Sequence, residues 1–443
     1  MTNDPDEGQN NPFKGTPFEQ FFGMLGGAPG GGGAPDLGAL FGQIQAMMQP
    51  YDGPLNWNLA LDLARKEAAT KPDPTPTQRQ QDQVADAVRL ADHWLDEVTD
   101  FPSGVTSTAA WSRAEWIVGT VDVWKGLVEP IAASSVNSLA SAMPQDPAMA
   151  GAMGGQLVGM LQRAIGAMLA NQIGSGLGAL AGEVLTASDI GLPLGAPGKA
   201  ALVPVNVAEF AEGLEDVPED DVTLYLALRE AAHQRLFAHV PWLREHLIGA
   251  VTDYARGLEV NTANLQANIE EQLRGLDLTN PESLQKLTEG GMFDLRQSPE
   301  QEVALQRLEV TLALVEGWVD EVVGQATADR MPTADKLQEA IRRRRASGGP
   351  AEQTFASLVG LELRPRRLRD ASTLWGSLRS RQGAEARDGV WMSPHLLPTA
   401  ADLDDPLGFR EGASAVEISE EEFEAGLREL LDGPSDDAEK PEE

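Results

Sequence analysis

The chain has 443 residues, no cysteine, and 68 acidic against 34 basic side chains, a formal net charge of -34. That length allows one large core, or two joined ones, with tails, while the missing cysteines remove disulfides, thiolate metal sites and cysteine nucleophiles. The acidity argues against nucleic acid and anionic membranes as partners, since their phosphates would be repelled.

The first thirty residues lack a basic region followed by an apolar run, so no signal peptide is expected and a cytoplasmic location is. Residues 1–50 combine Asn3, Asp4, Asp6 and Glu7 with the run Gly30 to Gly33 and read as a disordered, Gly-rich acidic segment. Within it Phe18 to Phe22 and Leu40 to Ile44 have the look of short transient helices. From Pro54 a short helix carries Leu59, Leu61 and Leu63, and Pro72, Pro74 and Pro76 make the next stretch a stiff connector.

After Thr77 the spacing of Val84, Val88, Leu90, Ala91, Trp94, Leu95 and Val98 predicts an amphipathic helix, with His93 as a structural residue beside the Trp94 stripe. Ser107 or Thr108 is the expected cap of a helix reaching Pro130, whose Trp111, Trp116 and Trp124 form an aromatic core layer. Residues 146–186 are rich in Ala, Gly and Met at a helical period. Gln156, Gln162, Arg163, Asn171 and Gln172 interrupt the run, so no membrane span of about 20 apolar residues is available. Glycines such as Gly174 and Gly178 then point to helices packed backbone to backbone. Ala201 to Val207 is the best strand candidate, confined to an edge by Pro204, with Asn206 capping a short helix through Phe210.

Pro218 to Asp221 opens the next helix with acidic residues where the helix dipole favours them. That helix holds Arg229, Glu230 and His233. In the pattern H-E-x-x-H two histidines one turn apart bind zinc, and the glutamate beside the first activates the metal-bound water. Here the spacing and the glutamate are kept and the first ligand is Arg229. A guanidinium has no lone pair to give and stays charged, so it repels the cation the motif would hold.

Pro241 starts a further helix at its favoured first position, helices are expected at Leu265 to Leu273 and Pro281 to Leu287, and a long one spans Pro299 to Gln325. On the long helix Glu316 falls at the edge of the stripe formed by Leu305, Leu308, Leu312, Val315 and Val319, where a carboxylate is costly unless paired or metal-bound. Asp320 follows one turn later, the spacing by which metallopeptidases with a glutamate third ligand supply that ligand and an outer carboxylate that orients a histidine.

Arg229 to Gln234, Val240 to Arg244 and Leu314 to Asp320, with Asp189 to Leu194 and the opening from Pro54 to Leu63, together resemble the zincin-like hydrolases of actinobacteria, which are zinc-dependent metalloproteases. The resemblance runs over roughly residues 54 to 400. It implies Glu230 as base, His233 and Glu316 as metal ligands, Asp320 as the outer carboxylate, and Arg229 in the place of a ligand histidine. The expectation is a mainly α, zincin-like helical domain over residues 51–400 with at most a small β element, followed over 401–443 by an acidic linker, a short helix opened by Ser419 to Glu422, and a disordered tail.

Two functions compete. One is a non-catalytic relative that binds a protein or peptide, with Arg229 pairing bidentately with Glu316 or Asp320 and no cofactor. The other is an active zinc hydrolase that uses Glu230 as base and an unusual ligand set, with His239 and His246 as spare ligands whose spacing from His233 matches no common zinc pattern. Arg342 to Arg345, with Arg364, Arg366, Arg367 and Arg369, form a basic island that grips a phosphate or acidic partner or, on the blander view, balances acidic surface within the molecule.

Overall fold

Helix α1 (Trp57–Ala68) starts where the Asn56 side chain accepts from Leu59 N, and it buries Ala60, Ala64 and Ala68. These small residues face the glycines of α4 (Gly154–Ala181). A Cβ placed on Gly174 would lie 2.5 Å from the Ala60 carbonyl oxygen, and one on Gly178 would lie 2.4 Å from the Glu67 Cβ. The expected backbone-to-backbone packing is therefore present. In the computed structural model the described residues are 51, 53–141, 154–254, 299–346 and 367–410. The expectations for residues 1–50, for the helices within 265–287 and for the helix opened by Ser419 fall outside them. Among the described residues no helix is long and apolar enough to cross a membrane.

Helix α2 (Gln78–Leu95) is opened by a reciprocal capping pair of Thr77 and Gln80 and buries Val84, Val88, Ala91 and Leu95. Leu90 and His93 are exposed on it, so His93 is a surface residue and not part of the core. The segment expected to cap the next helix is instead strand β1 (Ser107–Ala110). The cap falls to Ser112, which accepts from Glu115 N while its own N–H donates to the Glu115 carboxylate. Helix α3 (Arg113–Ser141) then runs through Pro130 instead of ending there, and Trp116 and Trp124 are fully buried in its core face.

Strand β2 (Lys199–Leu202) pairs in parallel with β1, Ser107 opposite Lys199 and Ala110 opposite Leu202. The strand is shorter than its apolar run because Pro204, lacking an N–H, opens helix α5 (Pro204–Glu212). Asn206 is inside that helix and buried, accepting from Arg113 Nε and donating to the carbonyls of Ala181 and Val184. On the other side of β2, Thr186 bridges Leu202 in antiparallel sense, which delivers Ser188 and Asp189 to the middle of the molecule.

Helix α6 (Glu219–His239) carries Glu219, Asp220 and Asp221 in its first turn and buries everything from Tyr225 to Leu236. After Val240 closes it, α7 (241–254) begins at Pro241. The long α8 (Pro299–Thr327) buries Leu312 to Val323 without a break. Helices α9 (Ala334–Ala346) and α10 (Leu368–Gly389) pack on it. Gly317 permits the approach of α10, since a Cβ there would stand 2.5 Å from the Ala371 Cβ and 2.7 Å from Ser372 N. Helix α11 (Ala400–Asp404) is capped by Thr399 and tied to α10 by Arg367, which pairs with Asp404, so Asp402 sits in a helix and not in a linker. Among the described residues the fold is helical with one two-stranded sheet, within the expectation of a mainly α domain with at most a small β element.

Candidate functional site

Arg229, Glu230 and His233 sit in the middle of α6, where every neighbour along the helix is buried, and Glu316 and Asp320 sit at the matching depth of α8. None of the five is more than 4% exposed. A charge at such a position costs several kcal/mol unless another group compensates it, so the partners define the site.

Arg229 Nη2 donates to Glu316 Oε2 at 2.5 Å. The other arm, Nη1, faces Asp320 Oδ1 at 3.8 Å and has no hydrogen-bond partner among the described residues. The guanidinium thus forks between two carboxylates and does not engage one bidentately, which corrects the geometry expected from the sequence. His233 Nδ1 lies 2.8 Å from the Arg229 carbonyl oxygen and Nε2 lies 2.9 Å from Glu316 Oε1. Both ring nitrogens face acceptors, so both contacts are hydrogen bonds only when both nitrogens carry protons.

Glu316 receives a further cation that sequence reasoning assigned no such role. Arg345 Nη1 pairs with Glu316 Oε2 at 2.9 Å, and Arg345 also donates to the Asp189 carbonyl. Burial by itself would raise the Glu316 carboxyl, but Arg345, His233 and Arg229 together outweigh it and hold it down to about 2. Asp320 accepts from Arg342 and, at 2.9 Å, from Ser372 Oγ. Arg344 reaches the Asp189 carboxylate at 3.0 Å and the Glu183 carbonyl. Three of the four arginines in the run Arg342 to Arg345 therefore point inward and pair with Asp320, Asp189 and Glu316. Arg343 stays outside, paired with Glu339.

Glu230 faces another set of groups. Its carboxylate accepts from Ser188 N at 3.0 Å, Ser188 Oγ at 3.4 Å and Gln234 Nε2 at 3.0 Å. Burial pushes its carboxyl up, against the opposing pull of His233, Gln234, Thr186 and Ser188. Gly191, at φ +77°, closes the loop over the site so tightly that a Cβ would lie 2.9 Å from Glu316 Oε1. The loop from Thr186 to Pro193 thus covers both carboxylates. Its sequence carried the resemblance, yet nothing in one chain read alone said that Ser188 would meet Glu230 or that Gly191 would meet Glu316.

The five predicted residues therefore occupy one neighbourhood, with Arg229, His233, Glu316 and Asp320 joined directly and Glu230 turned toward Ser188. The two spare histidines do not join them. His239 is exposed, within 3.1 Å of the Pro102 carbonyl, and His246 packs edge-on against Trp242. A catalytic zinc takes three protein ligands and keeps one position open. Among the described residues no group of three His, Cys, Asp or Glu side chains is arranged to hold a metal. The His233–Glu316 pair is crossed by two guanidiniums on the Glu316 carboxylate. The donor set does not fit zinc.

The model of the zincin-like metallopeptidase family matches residues 55–409. A solved structure from Chloroflexus aurantiacus, described provisionally as a hydrolase with a novel fold, is 20% identical and aligns with a TM-score of 0.55 over 80% of this chain and 96% of that one. At that identity the likeness is one of fold. No curated protein matches the chain.

Proposed function

Because the chain belongs to the zincin-like metallopeptidase family, we propose that it is a non-catalytic member, cytoplasmic, whose zinc site is degenerate and whose body binds a protein or peptide. The observation that carries this reading is the Arg229 guanidinium at 2.5 Å from the Glu316 carboxylate. A fixed organic cation stands where the family's motif places a ligand for a metal cation. Zinc with a full ligand set gains about 10–16 kcal/mol in small structural sites. Here it would find His233 and Glu316 alone and would have to displace Arg229 and Arg345, at about 3–5 kcal/mol for each buried pair broken.

The burial of Glu230 supports the same reading. A general base must come within hydrogen-bond reach of the proton it takes, and both oxygens of Glu230 are engaged by Ser188 and Gln234. Glu230→Gln tests the proposal. A non-catalytic protein has no peptide hydrolysis for the substitution to remove, so native and variant proteins give the same background rate on casein and on a peptide library. A native rate above background that Glu230→Gln abolishes would establish the competing reading, an active hydrolase with Glu230 as base.

A further inference from the structure

With the motif sealed inside α6 and α8, a partner must be met elsewhere, and a groove on the outer face of α2 and α6 has the chemistry for it. The groove encloses about 620 Å³, within the range of about 300–1,000 Å³ that takes a ligand or the side chains of a docked segment. Its floor is apolar, formed by Val84, Leu202, Val207 and Leu224, and Leu90 on the rim is 42% exposed. One wall is the first turn of α6, where Glu219 and Asp220 are exposed. Among the described residues neither forms an ion pair, whereas Asp86 on the facing wall is already held by Arg89 at 2.7 Å. Arg79 is the one basic residue of the lining.

We infer that this groove docks a short amphipathic segment of a partner protein, with aliphatic side chains on the floor and a lysine or arginine against Glu219 and Asp220. Charge complementarity selects that occupant: an acidic segment would meet three carboxylates and one guanidinium, in a molecule whose net charge of -34 already repels it. Helix-in-groove docking uses apolar anchors one turn apart, which suits a floor supplied by three helices and a strand end. The inference rests on the non-catalytic reading only in taking binding as the protein's output.

The test uses the full chain and a short, amidated, fluorescein-labelled peptide with leucines on one helical face and lysines on the other, read by anisotropy. Two independent groove variants are compared, the double substitution Glu219→Lys with Asp220→Lys, and Ala87→Trp, which fills the groove. The control is Asp62→Lys with Asp122→Lys, the same charge change at side chains that are 79% and 92% exposed elsewhere. Circular dichroism confirms folding of each. The expected result is a loss of about tenfold or more in affinity for both groove variants, no loss for the control, and no binding of a glutamate-faced peptide. Equal loss in the control, or unchanged affinity in a folded groove variant, would overturn the inference. Zinc analysis of the same preparations keeps the two readings apart: bound zinc would contradict the non-catalytic proposal and leave the groove result standing.

Discussion

Glu316 is the residue on which the buried charges converge, since it accepts His233 on one oxygen and Arg229 and Arg345 on the other. Removing its charge strands two guanidiniums in the interior, so Glu316→Gln is expected to cost about 3–5 kcal/mol, measured by urea denaturation at pH 7. Its folded carboxyl lies at about 2, below the unfolded value of about 4.3. The stabilisation is therefore complete above about pH 4.3 and is lost as the pH falls toward 2, and the gap between native and variant stability should close over that window. Glu230 behaves in the opposite sense. Burial raises its carboxyl, so its contribution is most favourable below about pH 4.3 and is lost as pH rises through the folded value. Glu230→Gln should gain stability relative to the native protein as pH rises from 4 to 8; a constant difference across that range would contradict this. The sequence pointed to Arg229 through the motif spacing to His233, to Glu316 through its place at the edge of an apolar stripe, and to Asp320 one turn further on. It was silent on Arg345, since a run of four arginines does not say which ones face inward.

Individual helices bring these charges together by close approach. Gly317, next to Glu316, lets α10 lie against α8 and puts Ser372 on Asp320. Gly317→Ala places a methyl group 2.5 Å from the Ala371 Cβ and is expected to destabilise by about 1–3 kcal/mol through overpacking, visible as a lower urea midpoint at unchanged slope. A midpoint equal to the native one would show that the two helices are not held at this distance. The long helices were legible because their apolar period persists over many turns. The sheet was not, because β1 and β2 have four residues each and their pairing joins segments about 90 positions apart. Pro130 was read as a stop, whereas α3 continues past it to Ser141. Pro204 was read as part of a strand, whereas its fixed φ and missing N–H suit the first turn of α5.

At the scale of the whole molecule, an acidic chain with a net charge of -34 buries five arginines among its described residues. Arg113, Arg235 and Arg387 are fully buried among carboxylates and carbonyls, and Arg229 and Arg345 join them around Glu316. The blander reading of the basic island, balance of charge within the molecule, describes Arg342, Arg344 and Arg345, although the acids they meet are core residues and not surface ones. In the α2–α6 groove, exposed Glu219 and Asp220 lie with the half-exposed Leu90.

The account stands on one substitution of cation. Its most direct test is zinc titration by calorimetry of the native protein and of Arg229→His, each first stripped with chelator. The native protein should take up no zinc, and Arg229→His, which restores a second imidazole one turn from His233, should bind one equivalent. Stoichiometric zinc in the native protein would contradict the account.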